Sequence, residues 1–530
     1  MEKSHLLRRL LLWAACCSVC AVPVTVCAEN EFHLGNELSI TTNDVSGPGK
    51  AQSSLTKGAR YLDVLNFYCN GRSNQLEYGY TIGGKATDDQ LNDSKTFSLT
   101  NFQGRFSNKV HTLVLGDTFE SFSQYSLNTA VKGGAYKFTA NRRNTPEVTL
   151  LYGLAYSRWD NLWTSGAMER QVIGGRIRQS VGDDFSIALS GVQTIDHMGM
   201  PGLTLYDGHT FTLDAEYRPI PGLTLRSEAS FSNYGKTETG AYSTSDGNAV
   251  RFEAVGDADP SRVSLEYERI TPGYVTIAGS ATPDREKVKA RWRYKYTKNV
   301  TYNFGFLWFH DSIFDQKADR TDHYKPEVGV SIKRPFGRQY AVADVTYKLD
   351  TVYNSTTTTN DHFINFTYRD RFGIFDSDSN FSIALYDTTD SRRAQEYTYN
   401  TSLSSRHTVG PVILKPVFYF GGWTANEELA IARTTDYIFE YSGGLGVEVP
   451  TWKVTSSWKI GENRLLKEAA GDTMKTYGQA NIYWRPEFAA KTQGMLFVRA
   501  FINDYRYSLN SANAENFREN SVTVGANFLY

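Results

Sequence analysis

The chain has 530 residues, 21% of them charged and 14% aromatic, with a mean hydropathy of −0.43 and a formal net charge of −1. A near-neutral balance argues against a nucleic-acid binder, whose surface needs a basic excess. Past the amino-terminal segment no stretch approaches the ~20 apolar residues of a membrane helix, which excludes a helical membrane protein.

Residues 1–28 read as a secretory signal. Lys3, Arg8 and Arg9 form a basic start, Leu10 to Cys20 an apolar run, and Val26-Cys27-Ala28 a small-residue cleavage site. The run is short and is followed by Pro23, which disfavours a membrane anchor. The expected division is a signal peptide over 1–28 and one barrel over 29–530. Without the signal the net charge becomes −3, since it takes away three basic residues and Glu2. Four of the five cysteines lie in it and only Cys69 remains, so no disulfide framework, haem-attachment motif or cysteine metal site is expected.

From about Phe32 onward the chain reads as about 26 segments of roughly ten alternating residues. Val148, Leu150, Tyr152, Leu154 and Tyr156 share one face; so do Val263, Leu265 and Tyr267, and Tyr302, Phe304, Phe306 and Trp308. In 283–297, Val288, Ala290, Trp292, Tyr294 and Tyr296 stand opposite Lys287, Lys289, Arg291, Arg293 and Lys295. Short connections (69–74, 106–109, 181–184, 219–222, 297–300, 334–339) alternate with long polar ones such as 116–130, 234–247, 270–284, 350–361, 421–435 and 460–474. Asn70-Gly71 reads as a tight hairpin turn. Aromatics crowd the strand ends. The expected fold is all-β: a single large antiparallel transmembrane β-barrel of about 26 strands, with short periplasmic turns, long extracellular loops and both termini periplasmic.

Such a barrel closes at a backbone diameter of about 50 Å, and something must fill it. No plug domain is expected ahead of the first strand. Residues 116–130 are aromatic-rich enough to pack inside, and 461–471 read as a short helix ending at Gly471; for both, a plain surface loop stays open.

The ending, "SVTVGANFLY", alternates to the last residue. Thr523, Gly525, Phe528 and Tyr530 fill the four defined places of a pattern that resembles the β-signal of Gram-negative outer-membrane proteins. The resemblance implies insertion into outer-membrane lipid by the assembly machinery that reads this strand. In strand number and loop asymmetry the chain also resembles the barrel of porin–cytochrome electron conduits. That likeness implies a periplasmic multihaem cytochrome as partner, with haem supplied only through it. The lipopolysaccharide-insertion barrel of similar size departs from this chain, since it carries a periplasmic domain and disulfides.

Three function classes follow: a sheath for such a cytochrome, a diffusion porin or export channel gated by its own loops, and a membrane enzyme or adhesin. No catalysis is expected, because the eight histidines after residue 28 are scattered singly, with no HExxH pair and no GxSxG elbow. Asp376, Asp378 and Asn380 begin like a calcium loop, but Phe381 stands where that loop needs glycine, so 376–381 reads as a plain turn. The basic face Lys287, Lys289, Arg291, Arg293, Lys295 should point into the lumen, because charge on the lipid face is costly. It offers an anion path or docking strip, or else a salt-bridge ladder with Glu266 and Glu268. Arg170, Arg176 and Arg178 face the same choice.

Overall fold

A computed structural model describes residues 31–140, 145–156, 158–163, 169–197, 203–238, 240–315, 317, 319–389, 391–429, 432–468, 472–507 and 515–530. The 1–28 segment lies outside them.

Every consecutive pair of strands is antiparallel, and the last strand, Phe517–Leu529, pairs with the first, Glu31–Ser46. Gly35 stands opposite Leu529 and Thr41 opposite Thr523. The ladder is completed by Leu34 N–H donating to the Tyr530 carbonyl at 2.9 Å and Tyr530 N–H to the Leu34 carbonyl at 2.8 Å. The sheet therefore has no free edge at this seam, which satisfies backbone groups that water cannot reach inside a membrane. Arg392–Ser405 and His407–Val409 both pair with Val412–Leu429 and are one strand interrupted at Arg406. The barrel thus has 26 strands.

The alternation decides which surface meets lipid. Leu150, Tyr152, Leu189, Phe211, Leu265 and Ile460 are exposed on the outside. Trp292 stacks on Phe304 with centroids 5.1 Å apart across paired strands of this face. Lys287, Lys289, Arg291 and Arg293 alternate with Val288, Ala290 and Trp292 on Arg285–Lys295 and so stand on the opposite face of the strand.

Strand lengths are uneven. Val412–Leu429 and Ala432–Val449 have 18 residues each, whereas Glu147–Leu154 has eight. Several spans that read as external loops are strand instead. Leu223–Glu238 and Ala241–Ala258 consume most of 234–247, Val342–Tyr353 and Thr358–Phe372 most of 350–361, and Val412–Leu429 and Ala432–Val449 most of 421–435. The span 461–471, open to a short helix or a surface loop, is strand up to Lys467, since Val454–Lys467 is paired on both sides and ladder pairing overrides local propensity, while 469–471 lie outside the described residues. Two turns move as well. The strand Gly58–Ser73 runs through Asn70-Gly71, and the turn falls at Asn74, the residue with positive φ (57°). Likewise "DSDSNF" lies in Phe375–Thr388, and Gly373 (φ 61°) makes the preceding turn.

Candidate functional site

Among the described residues the wall departs from regular pairing over a long stretch beside one hairpin. The strand His111–Ser123 pairs with its predecessor, Phe97–Ser107, only from Thr112 to Gly116. Its hairpin partner, Leu127–Thr139, pairs with Glu147–Leu154 only from Lys132 onward. Beyond Gly116 and Lys132 the hairpin leaves the wall and turns inward. Gly116 makes this possible. Its φ is +99°, and a Cβ there would sit 2.1 Å from the Phe102 carbonyl oxygen.

The hairpin tip lies on the lumen side of the strands that follow. Phe122, Leu127 and Val131 form a buried cluster with Leu151, Val172, Val192 and Ala278. The wall beneath is made of small residues. Ser190, Thr194, Thr210, Thr212, Ser230, Ser232 and Ala249 are all buried although they face the lumen, because the tip and a loop cover them. Gly174 leaves room for Phe122, whose ring would lie 2.8 Å from a Cβ there.

The covering loop is 271–284. Its Tyr274 is buried and meets Tyr125 edge to face with centroids 6.0 Å apart. The Tyr274 hydroxyl hydrogen-bonds Ser230 Oγ at 2.8 Å and reaches the Tyr125 carbonyl at 3.2 Å. Asn128 N–H donates to the Ala278 carbonyl and Ser280 N–H to the Gln124 carbonyl, both at 2.8 Å. Gly247 lets the loop approach, since a Cβ there would meet Tyr274 N at 2.2 Å. The span 270–284 reads as a polar outer connection, yet its Tyr274, Val275, Ile277 and Ala278 carry the apolar content of a segment that packs inward.

Two sets of charges hold the tip. The fully buried Tyr125 donates its hydroxyl to Glu268 at 2.9 Å, and its N–H to Glu228 at 3.3 Å. Burial first, then the charge and hydrogen bond of Glu268, push the Tyr125 hydroxyl far above the usual tyrosine range, so it remains a donor. Arg176 Nη2 donates to both carboxylate oxygens of Asp214, at 2.8 and 3.1 Å, and Nη1 donates to the Phe122 carbonyl. A polar cavity of about 210 Å³ lies under the tip, lined by Phe122, Arg176, Asp214, Glu228, Arg251 and Glu253 among others.

The basic face divides in two. Lys287 contacts Glu266 and Glu268, each at 3.0 Å, and Lys295 contacts Asp259 at 2.8 Å. Lys289 stands opposite Glu266 in register, but Arg251 and Lys287 already occupy that carboxylate at 3.0 Å each. Among the described residues Lys289, Arg291 and Arg293 make no ion pair. Arg170 forks onto Asp196 at 2.7 and 2.9 Å, and Arg178 donates to Ser186 Oγ at 3.2 Å. No group of three or more His, Cys, Asp or Glu among the described residues could hold a metal ion. Cys69 is fully buried.

The four residues of the carboxy-terminal pattern lie at the closure seam. Thr523 Oγ1 meets Thr41 Oγ1 at 2.8 Å. Gly525 leaves space for the Phe497 ring, which a Cβ would meet at 2.4 Å. Phe528 lies against Gly494, and Tyr530 is exposed.

No family model and no curated protein matches this chain. Solved structures similar to it include the P pilus usher (PapC) translocation pore (9% identity, 94% of this chain, 99% of that one, TM-score 0.33). Another is the outer membrane transporter YddB from Escherichia coli (8%, 94% and 81%, TM-score 0.46). A third is the anion-selective porin from Comamonas acidovorans (14%, 57% and 90%, TM-score 0.29).

Proposed function

We propose that this chain is an outer-membrane channel for small polar solutes, exported by its signal segment and narrowed by its own hairpin and by loop 271–284. The observation that carries this reading is the inward hairpin. A ring of 26 strands is about 50 Å across at the backbone, and an open hole of that width would abolish the barrier. Docking Tyr125 among Glu228, Glu268 and Tyr274 places a built obstruction against one wall of the ring. The unpaired Lys289, Arg291 and Arg293 line the lumen and bias passage towards anions. No catalytic role is assigned. Thr523, Gly525, Phe528 and Tyr530 serve as the signal for the assembly machinery.

The breadth of the ring supports a second reading, in which the remaining lumen sheathes a periplasmic multihaem cytochrome and any haem belongs to that partner. One preparation separates the two. Protein purified gently from native outer membranes is examined by visible absorption and then in planar bilayers. A colourless protein that conducts ions supports the channel. A c-type haem band that survives washing, with no conductance until the cytochrome is stripped, supports the sheath and removes the channel reading.

A further inference from the structure

We infer that the upper wall beside Phe97–Ser107 is a lateral port, through which the acyl chain of an amphiphile passes between the lumen and the bilayer. Among the described residues neighbouring strands are joined over most of their length by ladders of backbone hydrogen bonds. Above Gln103 that ladder stops on one edge of Phe97–Ser107, because the hairpin has turned inward. Phe102 N–H donates instead to the Asp117 carboxylate at 2.7 Å. The strand is bulged just above this point, where Gly83 pairs with Asn101 and Gly84 with Leu99. Bulges commonly mark where pairing ends or a functional site begins.

The side chains of Arg158 and Trp159 reach across the gap. Trp159 Nε1 donates to Asp117 at 2.8 Å, and its ring meets Phe102 edge to face at 5.7 Å. Lys132 lies 4.8 Å above the same ring and 2.6 Å from Asp117. Arg158 reaches Asp93 at 2.8 Å, Ser98 Oγ at 2.5 Å and Asp160 at 2.8 Å.

The seal is two-faced. Ser98 lies opposite Lys85, whose Nζ is 2.9 Å from the buried Asp93, so charge lines its inner side. Phe97 and Phe102 are exposed on the outer, apolar side, and Phe119 is exposed on the hairpin just beyond Gly116. A wall element held by ring contacts and ion pairs parts without breaking a backbone ladder. A passage charged within and aromatic without suits a molecule with a polar head and an acyl chain, the head passing along the lumen side and the chain between the rings.

The test uses the full chain in proteoliposomes containing a phospholipid with a photoreactive diazirine in its acyl chain, so that the probe starts in the bilayer. A Cys69→Ala background carries Ser98→Cys and Arg158→Cys, joined or not by a bis-maleimide. Illumination should label lumen-facing Asn101 and the hairpin tip in the unjoined protein, and joining should reduce that label to the level of Asn400 on the far wall. Trp159→Ala, which leaves both thiol sites native, should raise the label. Equal labelling of Asn101 and Asn400, or labelling indifferent both to the cross-link and to Trp159→Ala, overturns the port.

Discussion

Removing the Tyr125 hydroxyl should loosen the hairpin without unfolding the barrel. In Tyr125→Phe the ring keeps its contact with Tyr274, and Phe122, Leu127 and Val131 stay buried. What is lost is one hydrogen bond to the buried Glu268, which keeps Lys287 at 3.0 Å and Gln124 at 3.4 Å. A hydrogen bond to a charged group contributes about 1.5–3 kcal/mol. The docked-to-undocked ratio of the tip should therefore fall roughly 10- to 150-fold. The wall strands do not depend on this bond, so yield and heat-modifiability should match wild type. The assay is single-channel recording at fixed salt. Wild type should hold a steady low level, and Tyr125→Phe should show excursions to a higher one. Traces indistinguishable from wild type, with the barrel intact, would show that the Tyr125–Glu268 bond does not govern the lumen.

Other perturbations separate the parts. Lys289→Glu with Arg291→Glu should shift the reversal potential towards cation preference in ~0.1 M salt, where the screening length is about 10 Å, and much less in ~1 M salt, where it is about 3 Å. A shift of equal size at both salt concentrations would place the effect elsewhere. Gly116→Ala should lower the yield of heat-modifiable barrel, since the new Cβ meets the Phe102 carbonyl and φ is +99°; an unchanged yield would mean that the inward bend tolerates a side chain. Phe528→Ala with Tyr530→Ala should cut barrel assembly in cells, read by the same gel shift, and normal levels would remove the assembly role. For Asp93, burial alone would raise the carboxyl. Hydrogen bonds from Lys85, the Lys95 N–H, Arg158 and Ser98 outweigh it and hold the group well below the usual carboxylate range. The folded value is the lower one, so this stabilisation is complete above the unfolded value of about 3.9 and is lost as pH falls through the folded value. Hydrogen exchange at the Lys95 amide, which donates to Asp93 at 3.0 Å, should therefore show protection that is constant from neutrality to about pH 5 and fails only in stronger acid. Loss of protection above that would contradict the seal.

The wall was legible because its signal is periodic. Val288, Ala290, Trp292 and Tyr294 against Lys287, Lys289, Arg291 and Arg293 state a lipid face and a lumen face without any knowledge of neighbours. The closing strand was legible for the same reason, as Val522 and Val524 point out while Thr523 meets Thr41. Boundaries were less legible. Asn70-Gly71 is a strong turn pair, yet its strand continues because Asn70 pairs with Gly79 and Gly71 with Tyr78, leaving Asn74 to turn. The lumen filling was only half legible. Aromatic content singled out 116–130, but the direction of the hairpin depends on small wall residues from distant strands, such as Gly174, Ser190 and Ser230. No local pattern ties those positions to Tyr125. The split of the basic face was hidden likewise, because it depends on Arg251 claiming Glu266 from another strand.

The inward hairpin is tested most directly by excising it. Residues 118–131 replaced by Asn-Gly would retain the paired rungs Thr112–Gly116 and Lys132–Thr139 and so keep the wall. In planar bilayers the single-channel conductance of the excised protein should exceed that of wild type about twofold or more, as an obstruction standing inside the ring requires. Equal conductance from a correctly assembled barrel would mean that the hairpin does not occlude the lumen, and the channel account built on it would fail.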